Sequence, residues 1–112
     1  MNNRKQKNSS GLSLRIIKRP SKGFWSILEQ RRVKSKTFEE YVNIPDAVGL
    51  IQGQVASILA ASDIAEKSAS VQVAEIRGVC PNHTTLIALY GDTSAVEAAL
   101  FAIEEQVDES VF

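Results

Sequence analysis

The sequence predicts an α+β fold, an α/β sandwich in which helices cover one side of an antiparallel sheet. Two observations carry this expectation. From Asp46 onward the apolar residues switch between a two-residue and a 3.6-residue period, in the order strand, helix, strand, strand, helix. The chain has 112 residues, 44% of them hydrophobic, which suits one small domain with an ordinary core. A third pattern, alternating apolar residues before a turn near Pro20, predicts an additional N-terminal β-hairpin.

Residues 1 to 11, MNNRKQKNSSG, are polar, basic and aperiodic, and read as a disordered tail. The single domain is expected over residues 12 to 112, with a hairpin and short helix at 12 to 45 and the core at 46 to 107. Leu12, Leu14 and Ile16 alternate with Ser13 and Arg15 as in a half-buried strand. Pro20-Ser21-Lys22-Gly23 supplies turn chemistry, and Phe24 to Leu28 is expected to return as the second arm. After a basic link from Gln30 to Lys36, Thr37-x-x-Glu40 has the form of a capping box opening a short helix through Val42, which Pro45 ends.

In the core, Ala47 to Ile51 is a short apolar strand and Gly53 a turn. A helix follows from Gln54 to Ser68, with Val55, Ile58, Leu59, Ser62 and Ala65 on one face. Val71 to Arg77 and Thr84 to Tyr90 are expected as paired strands. Gly91-Asp92-Thr93 ends the sheet, and Ser94-x-x-Glu97 caps a helix on which Val96, Leu100, Ile103 and Val107 recur, with fraying after Asp108.

The formal net charge is zero, yet the charge is divided along the chain. Residues 1 to 36 carry eleven Lys and Arg against Glu29 alone, and residues 37 to 112 carry Lys67 and Arg77 against twelve acids, so the two parts are +10 and −10. Such asymmetry fits a nucleic-acid-binding arm, a membrane-surface arm, or a segment that docks on an acidic body. No stretch approaches the ~20 apolar residues of a membrane-spanning helix, and no apolar signal core follows Met1, so a cytoplasmic protein is expected. A single cysteine excludes an intrachain disulfide and fits a reducing compartment.

That cysteine lies in Gly78-Val79-Cys80-Pro81-Asn82-His83, an unusual strand connection. Three chemical readings compete. Cys80 and His83 as a thiolate pair would need an orienting third group, and none is evident. A structural zinc site wants four ligands, which one chain does not hold. Copies of Cys80 meeting at a symmetry axis would gather several thiolates for a metal or an iron-sulfur cluster. Against all three stands the ordinary alternative, a small buried thiol beside a solvated histidine. Gly49 to Gly53 lacks the full pattern of a phosphate loop and reads as a plain turn. Phe24 and Trp25 beside Lys18, Arg19 and Lys22 could stack on bases, but such aromatics more often pack an amphipathic hairpin.

At Asp46-Ala-Val-Gly-Leu-Ile-Gln52, Ala60-Ala-Ser-Asp-Ile-Ala-Glu-Lys-Ser-Ala69 and Leu89-Tyr-Gly-Asp-Thr-Ser-Ala-Val-Glu-Ala98 the chain resembles the bacterial microcompartment (BMC) shell domain, over roughly residues 46 to 107. With Leu12 to Asp46 placed before that core, it is similar to the circularly permuted branch of the family. The resemblance implies a structural subunit without catalysis that forms cyclic homo-hexamers, tiles with other shell proteins and encloses a cargo. The family's helix-end lysine at the hexamer edge matches Lys67, and Asp63 matches the acidic position one turn earlier. The pore loop falls on Gly78, Val79, Cys80, Pro81, Asn82 and His83. Gly-x-Cys-Pro-x-His resembles the loop of shell proteins linked to glycyl-radical-enzyme microcompartments, in which the pore cysteine is implicated in binding an iron-sulfur cluster. The resemblance therefore implies Cys80 as a metal ligand, a 4Fe-4S cluster shared between subunits, and encapsulated glycyl radical enzyme as cargo. Six thiols around four iron corners would break the symmetry, so occupancy would be partial, and aerobic handling could leave the site empty.

Two other functions compete with a shell subunit. A nucleic-acid-binding module would use the basic N-terminal arm on an oligomeric core, with affinity falling steeply in salt. A small thiol enzyme would need Cys80 to be unusually reactive. The resemblance favours the shell, with no membrane or nucleic-acid partner expected.

Overall fold

The computed structural model describes residues 11–34, 44–78 and 84–109. Its sheet has four antiparallel strands in the order β1-β2-β4-β3, namely β1 (Ser13–Lys18), β2 (Ala47–Gln54), β3 (Gln72–Ile76) and β4 (Thr84–Gly91). Helices α1 (Lys22–Arg31), α2 (Val55–Ser68) and α3 (Thr93–Glu109) complete the described elements. The α+β fold with an antiparallel sheet is thus as the sequence predicts. The expected tail, the short helix after Thr37 and most of the 78–83 loop lie outside the described residues.

Successive side chains of a strand point to opposite faces, and here both faces are apolar. Ile51, Ile87 and Leu89 face α2 and α3, forming a core with Leu12, Ile58, Ala61, Ala65, Ala99 and Ile103. Val48, Ala88, Tyr90 and Ile76 point the other way and form a second core with Leu28, flanked by Phe24 and Trp25. The helices therefore do not lie on one side of the sheet, as expected from the sequence. Two cover one face, and α1 covers the other.

That correction follows from a second one. The expected N-terminal hairpin has only its first arm as a strand, because Lys22–Arg31 is helical. Ser21 is the N-cap, its Oγ accepting the Phe24 N–H at 3.2 Å. Phe24, Trp25 and Leu28 then fall at helical spacings on one stripe and bury against the sheet, which a strand would have split between two faces. β1 itself pairs with β2 from Ser13↔Gln52 to Lys18↔Ala47.

Glycine sets how closely the layers approach. A Cβ on Gly49 would stand 3.0 Å from Val96 Cγ1, so α3 rests directly on this part of β2. A Cβ on Gly53 would meet Leu12 Cδ2 at 2.5 Å, which keeps Gly53 inside β2 under a leucine rather than in the expected turn. On α2 the buried residues are Ile58, Ala61 and Ala65, and the small alanines let the helix seat on that narrow stripe. Val55 and Leu59, expected on the buried face, are instead 46% and 65% exposed. α3 begins at Thr93, one residue before the expected cap, with the Val96 N–H bonded to the Asp92 carbonyl. Glu97 does not close a capping box but pairs with Lys18 at 3.0 Å.

Candidate functional site

The loop from Gly78 to His83 joins two strands whose register is fixed up to its edge. Ile76 pairs with Leu86 at the end of β3, and Thr84 and Thr85 pair with Gln54 and Gly53 of β2. The free edge of β3 is held as well. Just beyond α1, Arg32 bridges to Ile76, the Val33 N–H bonds to the Glu75 carbonyl at 2.8 Å, and the Arg77 N–H bonds to the Arg31 carbonyl at 2.6 Å. The Arg31 guanidinium also donates to the Arg77 carbonyl at 3.4 Å. The strand entering the loop is thus strapped by backbone from the basic N-terminal part of the chain, a role that charge alone did not signal.

At the loop's base lies an open cavity of about 290 Å³ between Gln52, Glu75, Arg77, Gly78, Thr84 and Thr85. Ile76 and Leu86 complete its lining, which mixes polar and apolar groups. Gly78 is exposed, and a Cβ there would meet nothing within 4 Å, so neither packing nor a positive φ demands glycine at that position. Val79, Cys80, Pro81, Asn82 and His83, on which the readings of the thiol rest, lie outside the described residues. Among the described residues no group of three His, Cys, Asp or Glu side chains could hold a metal ion. No described helix is long and apolar enough to cross a membrane.

The second pair of residues singled out in the sequence lies on α2. Asp63 and Lys67 lie one turn apart on α2 and form an exposed ion pair of 3.0 Å. α2 starts where β2 ends, beside the loop, and returns along the sheet to the end marked by Gly91, whose Cβ position faces the Ser70 carbonyl. At 1.5 Å per residue the 14-residue helix spans about 20 Å. The strand ends that flank residues 79–83 and Lys67 therefore lie toward opposite ends of α2.

Exposed apolar residues add a feature that the periodicity did not reveal. Ile27, Ile44, Val55, Leu59 and Phe101 are all largely uncovered. On a chain this small such surface is available for association.

Comparison with known proteins places this geometry in context. The family model of the BMC domain matches residues 47–112. The ligand-free structure of the GrpU microcompartment shell protein from Clostridiales bacterium 1_7_47FAA is 36% identical, with a TM-score of 0.63 over 84% of this chain and 89% of that one. The GrpU shell protein from Pectobacterium wasabiae is 33% identical, with a TM-score of 0.65 over 83% of this chain and 100% of that one. The trimeric shell protein PduB shares the fold at 24% identity and a TM-score of 0.56, over 87% of this chain and 40% of that chain. A comparison with curated proteins returned no match.

Proposed function

Starting from the fact that this chain belongs to the BMC domain family and is a bacterial microcompartment shell protein, we propose that it forms cyclic homo-hexamers with the Gly78–His83 loop at the central pore and the Asp63–Lys67 pair at the outer edge. Its relatives are microcompartment shell proteins, which fits a structural role in the shell. The observation that carries the hexamer reading is the separation of the two sites. A subunit with its loop at one end and an exposed Asp-Lys pair at the other can turn the first toward an axis and the second toward a neighbouring ring. The uncovered Val55 and Leu59 supply apolar surface for contacts between copies.

At the pore, each chain contributes a single thiol, Cys80. One thiolate falls short of any cluster's ligand set, so the residues fit a 4Fe-4S cluster only when several copies meet around one axis. Cys80 is then the ligand, and such a cluster would supply one-electron transfer or be carried across the shell as cargo. Neighbouring shell proteins, and encapsulated glycyl radical enzyme, are the partners this reading implies.

The test is sedimentation of anaerobically purified full-length protein together with iron and sulfide reconstitution. A hexamer that gains a visible charge-transfer band, lost in Cys80→Ala while the hexamer persists, is the expected result. A monomer would end the ring reading. A hexamer with no band, or a band retained by Cys80→Ala, would end the cluster reading alone.

A second reading, binding of nucleic acid by the basic N-terminal part, draws on the +10 charge of residues 1 to 36. The strap that Arg31 to Val33 forms along β3 and the Lys18–Glu97 pair give part of that segment a structural role within the domain. That favours the shell.

A further inference from the structure

The three helices are held unequally. On α2 Ile58, Ala61 and Ala65 are buried, and on α3 Val96, Ala99 and Ile103 are buried. On α1 Leu28 alone is buried, Phe24 and Trp25 are half-buried, and Ile27 is 64% exposed. Apolar burial is the main force that seats a helix on a sheet, so α1 is the most weakly held of the three.

Two features further disfavour its seated position. The Trp25 Nε1–H is buried and meets no acceptor among the described residues, a donor that water would satisfy once the helix lifts. Arg19, in the connection from β1, holds φ at 51°, in the left-handed region that a residue with a Cβ occupies at a cost. Against them stands the hydrogen bond from Tyr90 to Glu29, and the Glu29 side chain is 43% exposed, so water competes for that carboxylate.

We propose that α1 and the strap behind it open from the sheet as one unit while the sheet, α2 and α3 stay folded, and that this opening frees the strand entering the 78–83 loop. The link is Arg31, the last residue of α1. Its carbonyl accepts the Arg77 N–H, and its guanidinium donates to the Arg77 carbonyl. When α1 lifts, Arg77 loses both partners and Ile76 loses its bridge to Arg32. Ile76 stays paired with Leu86, so β3 keeps its place and only its exit is released. The helix is a latch on the base of the loop. Opening is a property of one subunit and needs no ring; where the loop lines a central pore, as proposed above, the latch sits at its foot.

Hydrogen–deuterium exchange of the full-length protein, read by mass spectrometry on overlapping peptic fragments that isolate the Arg77 amide, tests this. Residues 24 to 33 and the Arg77 amide should exchange together, faster than β2, β4 and α3. Tyr90→Phe should speed residues 24 to 33 by roughly tenfold or more, the effect of losing one hydrogen bond to a charged acceptor. Gly49→Ala, whose methyl presses on Val96 and Leu100 of α3, should speed β2 and α3 and leave residues 24 to 33 and Arg77 unchanged. In the unaltered protein, urea below the unfolding transition should speed the core steeply and α1 little, because opening one helix exposes less surface than unfolding. Exchange of α1 at the rate of the core, an equal response of both to Gly49→Ala or to urea, or an Arg77 amide that exchanges independently of α1 would overturn the proposal.

Discussion

The Tyr90 hydroxyl donates to Glu29 Oε2 at 3.1 Å, tying the buried end of β4 to a helix 61 residues earlier in the sequence. Glu29 Oε1 accepts from Arg32 Nε at 2.8 Å, so one carboxylate joins the sheet, α1 and the strap beyond it. Trp25 packs edge-on against the same tyrosine, ring centroids 5.8 Å apart.

Tyr90→Phe should therefore lower stability by about 1.5 to 3 kcal/mol, the contribution of one hydrogen bond to a charged acceptor. Glu29→Ala should cost more, because it takes an acceptor from both Tyr90 and the buried Arg32. Urea unfolding followed by the fluorescence of Trp25, the single tryptophan, reads both. Equal midpoints for wild type and the two variants would show that this network does not hold α1 in place.

Gly49→Ala should destabilise the fold by about 1 to 3 kcal/mol, since the added methyl meets Val96 Cγ1 at 3.0 Å and both Leu100 methyls at 3.4 Å in a packed layer. Gly23→Ala is the contrasting case. Its Cβ meets nothing within 4 Å inside α1, so a gain of about 0.5 to 1 kcal/mol is expected from helix propensity. Thermal unfolding of the two variants should move in opposite directions, and a shared direction would refute the packing argument.

Lys67→Ala removes an exposed ion pair, so the fold should lose less than about 0.5 kcal/mol. If the residue serves contacts between rings, the variant should keep its ring size by sedimentation and fail to form extended layers by electron microscopy. Normal layers from a Lys67→Ala protein would remove this residue from the assembly role.

Residues 46 to 107 were readable because their hydrophobic periods are strong and their elements follow one another with short connections. Each strand and helix of that core appears where the pattern places it, with boundaries shifted by at most three residues. The Asp63–Lys67 pair was equally legible, since a spacing of four on a helix fixes proximity. Residues 24 to 28 were misread. Apolar residues at 24, 25 and 28 fit a helical stripe, and Ser21 is a good N-cap, but without a glutamate at the box position the turn residues Pro20 to Gly23 suggested a hairpin. The pairing of Lys18 with Glu97 likewise had no local signature.

By itself, then, the sequence determined the order of the elements from Asp46 onward, the α+β class, and the unequal distribution of charge along the chain, because these rest on local periodicity and on counts. Only the tertiary structure decided that helices occupy both faces of the sheet, that residues 31 to 33 strap the free edge of β3, and that Lys18 pairs with Glu97. Those features depend on contacts between residues far apart in the chain, and local patterns carry no information about which of two apolar faces a distant segment will cover.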